Sequence, residues 1–578
     1  MAKPIFDPID GPRWVLNGRI VPMTGPDDTI DDGNVYISGG LIEAVQPADQ
    51  PPPIDFDGLT PLKTGGTIFP GFVELHNHLA YNVLPLWQVP KSYRHRGQWG
   101  QHPDYRKLIS GPMNVLGRTD GLVQAVVRWT EAKALIAGTT TSQGIALYSN
   151  AGIAKYYRGL VRNVEETSDS QLPEAQTRIG DVEANSAAKF LRRLESQANR
   201  NRTLILHLAE GRSDDKPEDT ANRHFRALKI DSRTWAINRA LIGVHCTGLR
   251  GRNFATMGTR RASIVWSPLS NPLLYGATTD IGRALDDGVP VALGSDWSPS
   301  GSKNLLMELK VARLHCDAKG INVSDYELVK MVTVTPAAMI GWNSQIGMIS
   351  PGHRSDFVVL SGTSGDPYHQ LLAATESNIG LVIINGVRRY GEARLMGGLD
   401  GLETRKVGGL SRQLNLRQDN IEQSVADLSL GQAEERLIDA LERLPELALS
   451  LEHGSPAPVM ARASGRAQVR VGTGATMPTM PTDGSWFLDL DHESGGGTQR
   501  PKLMLDGLRT GVFPSPMAAG VPLSELLEPI ALDEMAAVDD DTFWSTFGGE
   551  QNLPEPIRAG MFPFYGRRAP ATSMGPPG

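Results

Sequence analysis

The stretch T-I-F-P-G-F-V-E-L-H-N-H-L-A-Y-N-V-L-P-L-W, residues 67–87, decides the fold class of this chain. Its apolar and β-branched residues predict a buried strand that is interrupted at Pro70-Gly71. This strand ends in His76 and His78, whose imidazoles can converge on one point where strand pairing stops. Imidazole is the commonest protein ligand of metals such as zinc and iron. Two histidines can also meet in a loop by chance, so a metal site requires further ligands elsewhere.

Three later strands also deliver polar side chains at their ends, and helical segments separate them. The strand at 203–211 carries His207 and Glu210, the strand at 241–247 ends in His245, and the strand at 289–297 ends in Asp296. Alternating strands and helices are typical of a parallel β/α architecture. In a (β/α)8 barrel the active site is built from the carboxyl ends of the strands. The sequence therefore predicts a metal site at one end of a TIM-like barrel.

The predicted fold class is α/β, a (β/α)8 TIM-like barrel with a small β-sandwich built from both flanks and an extra C-terminal extension. Asn17-Gly18 and Gly39-Gly40 predict hairpin turns in the N-terminal flank, and one barrel strand must lie within 145–185. The domains are predicted as 1–65 (first part of the small β domain), 66–345 (metal-dependent barrel), 346–398 (second part of the small β domain) and 399–578 (extension).

The C-terminal extension, residues 399–578, fits neither the barrel nor the small β domain. Residues 430–452 predict one amphipathic helix, and residues 454–482 are rich in small residues and resemble a linker. The segment 521–565 regains helix-forming sequence and many aromatic residues. Those aromatic residues indicate that the extension packs either on the barrel or on a second subunit, and no function for it is evident from the sequence.

Composition restricts the class of protein. The chain of 578 residues is 40% hydrophobic and 21% charged, and its formal net charge is −7. These values indicate a globular protein and argue against nucleic acid as a partner. Cys246 and Cys316 are the only cysteines, and the N-terminus lacks the apolar run of a signal peptide. We therefore expect a cytoplasmic protein that acts on a small molecule and does not span a membrane. A homo-oligomer is possible.

Several motifs together resemble those of the amidohydrolase superfamily, over about residues 14–395. G-x-x-x-P-G-F-V-E-L-H-N-H at 66–78 looks like the first-strand motif of that family. H-L-A-E at 207–210 resembles the H-x-x-E segment of its deaminase and chlorohydrolase branch, which includes the triazine hydrolases. The other motifs are V-H-C at 244–246, S-P-L-S-N-P-L-L at 267–274, G-S-D-W at 294–297 and the segment 335–360. The resemblance implies a metal-dependent hydrolase of carbon–nitrogen bonds.

One divalent metal ion is expected, with zinc favoured and iron as the alternative. Its predicted ligands are His76, His78, His207 and Asp296. Water bound to such an ion becomes hydroxide near neutral pH and can attack an sp² carbon. Glu210 is predicted to be the general acid and base, and Asp296 to be a ligand, a base for the water proton, or both. His245 either binds metal or, as the resemblance implies, orients the hydroxide or polarises the substrate.

Substrate contacts are expected from Asn271 and from Trp87, although Asn271 could equally form a turn. Trp87 introduces a loop, residues 88–118, whose aromatic and basic side chains favour an aromatic or anionic substrate. A second metal would require a bridging carboxylate. Glu165 and Glu166 are the candidates, and one metal is favoured over two.

The predicted reaction is cleavage of a carbon–nitrogen bond. It is either deamination of a nitrogen heterocycle or hydrolysis of an amide or cyclic amide. Dechlorination of a heteroaromatic ring uses the same hydroxide and is an alternative chemistry. A different class of function is a catalytically inactive scaffold that uses the C-terminal extension as its interaction surface. The complete set of predicted ligands argues against the scaffold.

Overall fold

The structure is a computed structural model that describes the chain in several stretches. The described residues are 12–144, 160–165, 167, 169, 171–178, 191, 202–212, 220–418, 423–453 and 521–569. Glu166 and the predicted linker at 454–482 lie outside these residues.

The strands are numbered in chain order. They are β1 (Trp14–Ile20), β2 (Ile30–Ser38), β3 (Leu41–Pro47), β4 (Leu62–Pro70), β5 (Phe72–Glu74), β6 (Thr139–Ser142), β7 (Arg162–Asn163), β8 (Gln176–Arg178), β9 (Leu204–Leu208), β10 (Leu241–His245), β11 (Ser263–Trp266), β12 (Val291–Leu293), β13 (Phe357–Ser361), β14 (Ile379–Ile384), β15 (Val387–Gly391), β16 (Glu403–Val407) and β17 (Leu410–Leu414). The predicted interruption at Pro70-Gly71 is confirmed, because β4 ends at Pro70 and β5 begins at Phe72.

Strands from both sides of the predicted barrel segment form one nine-stranded sheet. Its order is β16-β17-β15-β14-β13-β4-β1-β2-β3. Strand β4 pairs in parallel with β1 and antiparallel with β13, so the two flanks of the chain meet there. The sheet also includes β16 and β17, which lie beyond the predicted boundary at residue 398.

The strands between these flanks form two parallel sheets, which confirms the predicted α/β architecture. One sheet has the order β5-β6-β7 and the other the order β12-β11-β10-β9-β8. Strands β7 and β8 lie in the interval where a missing strand was expected. Backbone hydrogen bonds link the two sheets, from Ala175 N–H to Val164 O (2.8 Å) and from Asp296 N–H to His76 O (2.9 Å). The strands that carry predicted site residues therefore have their carboxyl ends close together.

Helices separate the parallel strands and cover them. The α-helices are Arg96–Trp99, Pro103–Tyr105, Gly111–Arg118, Leu122–Ile136, Thr220–Arg226, Gly251–Thr259, Ser270–Tyr275, Ile281–Asp286, Leu305–Lys319, Asp325–Lys330, Val334–Met339, Pro367–Ala373, Ala393–Met396, Gln423–Ala426, Leu430–Glu442, Leu444–Glu452, Leu523–Leu526, Asp541–Gly549 and Glu555–Phe564. Short 3₁₀ turns lie at Ile54–Phe56, Leu79–Val83, Glu376–Asn378 and Ala537–Asp539, and a π-helical turn at Arg106–Ser110. None of the helices in the described stretches is long and apolar enough to cross a lipid bilayer.

Buried β-branched and aliphatic side chains explain why the parallel strands form. Val73, Val164, Ile205, Val244 and Val265 belong to one buried cluster between the strands. Strands β9, β10 and β12 are short and mostly apolar on both faces, as expected where helices cover one face and a packed interior fills the other. Strands β6, β7 and β8 carry polar side chains along their length.

Two local predictions are wrong, and each has a physical reason. Asn17-Gly18 lies inside β1 and is not a turn. Gly18 is needed there because a Cβ would approach Thr64 Oγ1 to 2.4 Å and Gly66 O to 2.7 Å on β4. The single helix predicted at 430–452 is two helices, Leu430–Glu442 and Leu444–Glu452, because Pro445 begins a new helix and cannot continue the previous one.

The described part of the C-terminal extension packs on the rest of the same chain. Phe543, Trp544, Phe547 and Phe562 are buried in the main hydrophobic core. Against the helix Leu305–Lys319, a Cβ on Gly560 would approach Leu314 to 2.7 Å. Of the two packing partners predicted for the extension, the barrel segment is the one that it contacts.

Candidate metal centre

The six predicted metal-binding and catalytic residues follow the strands of the two parallel sheets. His76 and His78 follow β5, His207 lies in β9 with Glu210 just after it, His245 ends β10, and Asp296 follows β12. All six side chains are buried. Residues from four different strands therefore meet at the carboxyl ends, where the alternation of the sequence predicted them.

Four of these residues form a compact group of nitrogen and oxygen atoms. His76 Nε2 lies 3.2 Å from His207 Nε2 and 3.2 Å from Asp296 Oδ1, and His78 Nε2 lies 3.5 Å from the same oxygen. Two overlapping sets, His76–His207–His245 and His76–His78–Asp296, each have ligand atoms within 4.8 Å of one another. Imidazole and carboxylate groups are the ligands that zinc prefers besides thiolate. The arrangement could therefore hold a metal ion.

Burial keeps the histidines in the form that binds metals. It lowers the pKa of His76, lowers the pKa of His78 to about 3, and lowers the pKa of His207 well below its ordinary value. Burial acts to raise the pKa of Asp296, but His76, His245 and His78 outweigh it and lower that pKa. Near neutral pH the cluster therefore presents neutral imidazoles and a carboxylate, which are the protonation states that metal ligands require.

The segment S-P-L-S-N, residues 267–271, contacts three of the site residues. Ser267 Oγ lies 2.8 Å from His76 Nδ1, and Ser270 Oγ donates a hydrogen bond to Asp296 Oδ2 (2.5 Å). Asn271 Oδ1 lies 2.8 Å from His245 Nδ1. Because an amide oxygen only accepts hydrogen bonds, His245 Nδ1 carries a hydrogen. One short turn thus fixes the orientation of two imidazoles and a carboxylate.

Glu210 lies at the edge of this cluster. Its Oε1 accepts a hydrogen bond from the Tyr275 hydroxyl and lies 3.8 Å from His245 Nε2. Its Oε2 lies 3.9 Å from Arg96 Nε. Trp99 Nε1 in turn donates to the Tyr275 oxygen (2.8 Å). The carboxylate is therefore held by side chains from two other parts of the chain, and it faces the histidine that adjoins the ligand group.

A small cavity lies beside the cluster. Its lining residues are His78, Arg96, Trp99, His207, Glu210, His245, Leu274, Asp296 and Trp297. Trp87 is not among them, and its indole packs on the rings of Tyr93 and His102. Asn271 is fully buried behind His245. The substrate contacts predicted for Trp87 and Asn271 stay predictions.

Sequence reasoning did not identify Tyr275, Leu274 and Trp297 as neighbours of the site. G-S-D-W contains Trp297 directly after Asp296, and S-P-L-S-N-P-L-L ends one residue before Tyr275. These positions were available from the same motifs, but no periodicity indicates which of their side chains turn toward a cavity. The loop that carries Arg96 and Trp99 was expected over the site, and both of these residues line the cavity.

Several site residues have left-handed backbone conformations. The φ angles are +50° at Ala209, +62° at His245, +57° at Cys246 and +68° at Asp296. Residues other than glycine adopt such angles rarely and at an energetic cost, and they concentrate at functional sites. The chain thus leaves regular strand geometry at the points where β9, β10 and β12 deliver their polar side chains.

Glu165, the described candidate for a bridging carboxylate, has other partners. Its Oε1 accepts a hydrogen bond from Gln143 Nε2 (3.3 Å) and its Oε2 accepts one from Gly144 N–H (3.1 Å). Asn77 lies between the two histidines, and its backbone N–H donates a hydrogen bond to Gln143 Oε1 (3.1 Å). These contacts place Glu165 behind the loop that carries His76 and His78.

The chain is similar to known proteins of one enzyme family. The profile described as Amidohydrolase family matches residues 212–390, which include His245 and Asp296. Curated relatives match a much longer part of the chain.

Two of the similar proteins illustrate the match. A 5-methylthioadenosine/S-adenosylhomocysteine deaminase from Desulforamulus reducens is 23% identical over 410 residues, which are 65% of this chain and 92% of that protein. The solved structure of an adenosine deaminase from Xanthomonas campestris with bound zinc has a TM-score of 0.50 and 17% identity. The alignment covers 67% of this chain and 95% of that one.

These matches confirm the predicted resemblance. The chain is similar to amidohydrolases of the deaminase and chlorohydrolase branch, and this similarity supports a hydrolase that acts on carbon–nitrogen bonds. The matched relatives account for about two thirds of the chain.

Proposed function

We propose that this enzyme deaminates a nitrogen heterocycle, with an aminopurine nucleoside as the substrate class, and that it uses one zinc ion. The observation that carries the proposal is the position of Glu210, whose carboxylate lies 3.8 Å from His245 Nε2 beside the ligand group. A relative that aligns with 65% of this chain over 92% of its own length is named as a 5-methylthioadenosine/S-adenosylhomocysteine deaminase, which supports this substrate class.

The donor atoms fit a zinc ion. His76 Nε2 lies 3.2 Å from His207 Nε2 and 3.2 Å from Asp296 Oδ1, and His78 Nε2 lies 3.5 Å from that oxygen. Such nitrogen and oxygen atoms are the ligands of catalytic zinc sites. His207 Nδ1 is buried and has no hydrogen-bond partner among the described residues. Iron, which imidazole and carboxylate also bind, is the alternative ion. When bound, such an ion supplies a water molecule that is acidic enough to be hydroxide near neutral pH.

Glu210 would carry out the proton transfers, and the neighbouring residues would hold the reacting groups in position. Glu210 would take a proton from the water and deliver it to the leaving nitrogen, as a general base and then a general acid. Tyr275 holds the carboxylate by its hydrogen bond, and Asp296 serves as a ligand with Ser270 fixing its second oxygen. His245 would orient the attacking water or polarise the substrate through Nε2.

The cavity walls suit a flat ring. Trp99 and Trp297 lie with ring centroids 5.9 Å apart, and Leu274 adds an aliphatic surface. Arg96 adds a positive charge at the wall. Aromatic side chains bind planar heterocycles by stacking, whereas an aliphatic amide would gain less from them. This composition supports a heterocycle over an amide or a cyclic amide.

We also propose that the two parallel sheets form one (β/α)8 barrel. Together they supply the eight strands that this barrel requires, and backbone hydrogen bonds link their ends. The nine-stranded sheet would then be the small β domain of both flanks, and residues 399–578 the separate extension. Two buried, unpaired cysteines support a reducing cytoplasmic location. The oligomeric state stays open.

The test is an ammonia-release assay with the zinc-loaded full-length protein. Aminopurine nucleosides, free aminopurines, cyclic amides and a chlorotriazine are the substrate arms. We expect ammonia from an aminopurine nucleoside, and its release should depend on Glu210. Glu327→Gln, which changes an exposed helix-capping carboxylate, is the matched control. Hydrolysis of the cyclic amide opens its ring and dechlorination of the triazine releases chloride, so these two arms are followed by chromatography instead of by ammonia. Turnover in one of them alone would replace deamination by that reaction.

A catalytically inactive scaffold is the remaining alternative. It would show no turnover in any arm and no bound metal. Metal analysis of the purified protein separates it from an enzyme whose substrate is missing from the panel. The proposal expects about one equivalent of zinc or iron per chain.

A further inference from the structure

The C-terminal extension contacts the loops that form the candidate metal centre. Asp533 N–H donates to Val83 O (3.0 Å), in the turn that follows His78. Glu550 Oε1 accepts from Val89 N–H (3.2 Å), and Asn552 Nδ2 donates to Leu273 O (2.7 Å), next to the cavity residue Leu274. The extension thus reaches the loop after β5 and the loop after β11.

A buried group of four charges anchors this part of the extension, and we call it the ion network. It consists of Lys133, Lys303, Asp533 and Asp540. Asp533 binds both ammonium groups, to Lys133 through Oδ2 and to Lys303 through Oδ1 (2.7 Å). Asp540 Oδ2 lies 2.6 Å from Lys303 Nζ. Two positive and two negative charges are therefore balanced in a buried place.

Lys133 connects the ion network to the loops of the site. Its Nζ donates to Asn82 O (2.9 Å) and to Ser298 Oγ (3.0 Å). Asn82 follows His78 by four residues, and Ser298 follows Asp296 by two. The Asn82 amide also accepts from Ser298 N–H (2.8 Å). One ammonium group therefore joins the two loops that carry a histidine ligand and the carboxylate ligand.

The connection continues directly to the ligands. Asn82 Nδ2 donates to Asn77 Oδ1 (3.0 Å), and Asn77 lies between His76 and His78. His78 N–H donates to Asp296 O (2.7 Å). From Asp533 to the ligand-bearing backbone there is an unbroken series of hydrogen bonds between buried groups.

We propose that Asp533 and its neighbours in the extension are positioning residues of the metal centre, which act through Lys133 on the loops carrying His78 and Asp296. This inference rests on the proposed metal site. Residues that hydrogen-bond to metal ligands and orient them typically increase metal affinity 10- to 100-fold, and this increase is lost when they are mutated. Asp533 acts through intermediate residues, so we expect the lower end of that range.

The experiment is a cobalt(II) titration of the metal-free full-length protein, followed by the visible absorption of the bound ion. Asp533→Asn keeps the shape of the side chain and removes its charge. The matched control is Ile557→Ala, which removes a buried aliphatic side chain from the same extension without touching the ion network. We expect Asp533→Asn to weaken cobalt binding about tenfold and to shift the absorption spectrum. The control should lower the melting temperature and bind cobalt within about twofold of wild type.

Two results would overturn the inference. Either Asp533→Asn binds cobalt as tightly as wild type with the same spectrum, or Ile557→Ala loses as much affinity as Asp533→Asn. If Asp533→Asn does not fold, Ser298→Ala decides the question, because it removes one link from Lys133 and leaves the charges balanced. We expect about threefold weaker binding from Ser298→Ala, and unchanged binding would contradict the inference. A wild-type protein that binds no cobalt would refute the metal site itself, which is a separate outcome.

Discussion

The candidate metal centre and the ion network are two buried polar clusters of the same molecule, and their charges are arranged differently. In the ion network each carboxylate lies against an ammonium group, as between Lys303 and Asp540. In the metal centre the nitrogens of His76 and His207 face each other and the oxygen of Asp296. The charges of the ion network are therefore neutralised by side chains of the protein itself.

This difference indicates what each cluster does. A buried charge is stable only when it is paired and hydrogen-bonded. The ion network meets that condition and therefore holds segments together. In the candidate metal centre, imidazole nitrogens and a carboxylate oxygen lie within 3.5 Å of His76 Nε2 or of one another, an arrangement that could hold a cation from solution. Neutralising one carboxylate should therefore lower activity in the candidate metal centre and lower stability in the ion network.

Glu210→Gln is the largest expected effect and concerns the metal centre. Because the amide cannot transfer the proton, we expect ammonia release to fall about a thousandfold. Zinc content and the free energy of unfolding should stay near their wild-type values. Turnover and metal content, measured on the same preparation, check this. Residual activity within tenfold of wild type would exclude Glu210 from the proton transfers.

Asp540→Asn is the corresponding change in the ion network. It leaves Lys303 with one carboxylate in place of two, and breaking a buried ion pair typically costs about 3 kcal/mol. Asparagine keeps the N-cap of the helix Asp541–Gly549, so helix capping is not lost. Denaturant unfolding monitored by circular dichroism measures the change. A loss below about 1 kcal/mol would show that this pair contributes little.

Zinc should stabilise the protein through the metal centre alone. At a free zinc concentration 100 times the dissociation constant, a single site stabilises the folded state by about 2.7 kcal/mol. We expect the melting temperature of the metal-free protein to rise by several degrees on zinc addition. His207→Ala should abolish that rise, and magnesium, which prefers oxygen ligands, should not replace zinc. Equal shifts in the variant and wild type would place the ion elsewhere.

Lys310 is a buried lysine that contrasts with Lys303. Burial lowers the pKa of Lys303, but Asp533 and Asp540 outweigh it and the pKa rises. Lys310 instead donates to backbone carbonyls, and burial lowers its pKa from 10.5 to about 7, against the smaller opposing effect of Glu376.

Because the pKa of Lys310 is lowered in the folded state, the free energy of unfolding should decrease as pH falls. A lysine with a folded pKa below its unfolded pKa stabilises the protein fully above about pH 10.5, and that contribution is lost as pH falls toward 7. We expect wild type to lose about 2 kcal/mol relative to Lys310→Met between pH 9 and pH 7. Urea unfolding at several pH values measures both proteins. Parallel curves would show that Lys310 does not titrate in this range.

Tyr275→Phe is the smallest of these effects. It removes the hydroxyl that donates to Glu210 and leaves the ring in place. We expect kcat to fall about tenfold, because one hydrogen bond to a charged group is lost. Tyr326→Phe, at a partly exposed tyrosine outside the cavity, is the control. Unchanged kcat in Tyr275→Phe would mean that Glu210 holds its position without this bond.

The sequence predicted those features of the molecule that follow from local patterns. An apolar strand that ends in a polar residue is visible in the amino-acid order, and this alone placed His76, His207, His245 and Asp296 at strand ends. Parallel strands share one carboxyl edge, so four separate positions could be brought to one site. The fold class followed from the same alternation.

Long-range contacts left no such pattern. Lys133 and Asp533 are 400 positions apart, and nothing in either neighbourhood indicates the other. The hairpin expected at Asn17-Gly18 failed for a related reason. A glycine that makes room for a neighbouring strand looks the same in the sequence as one that allows a turn. The walls of the cavity likewise depend on how loops fold back.

The left-handed conformations of Ala209 and Cys246 have a consequence for engineering. At such angles a glycine is relaxed where an L-residue is strained, by roughly 1 kcal/mol or more. Ala209→Gly would relieve this strain but remove a buried methyl group, and Cys246→Gly would in addition leave a cavity where the buried thiol packs. Either exchange would loosen the backbone beside Glu210 or His245, so we expect turnover to fall without a matching gain in stability.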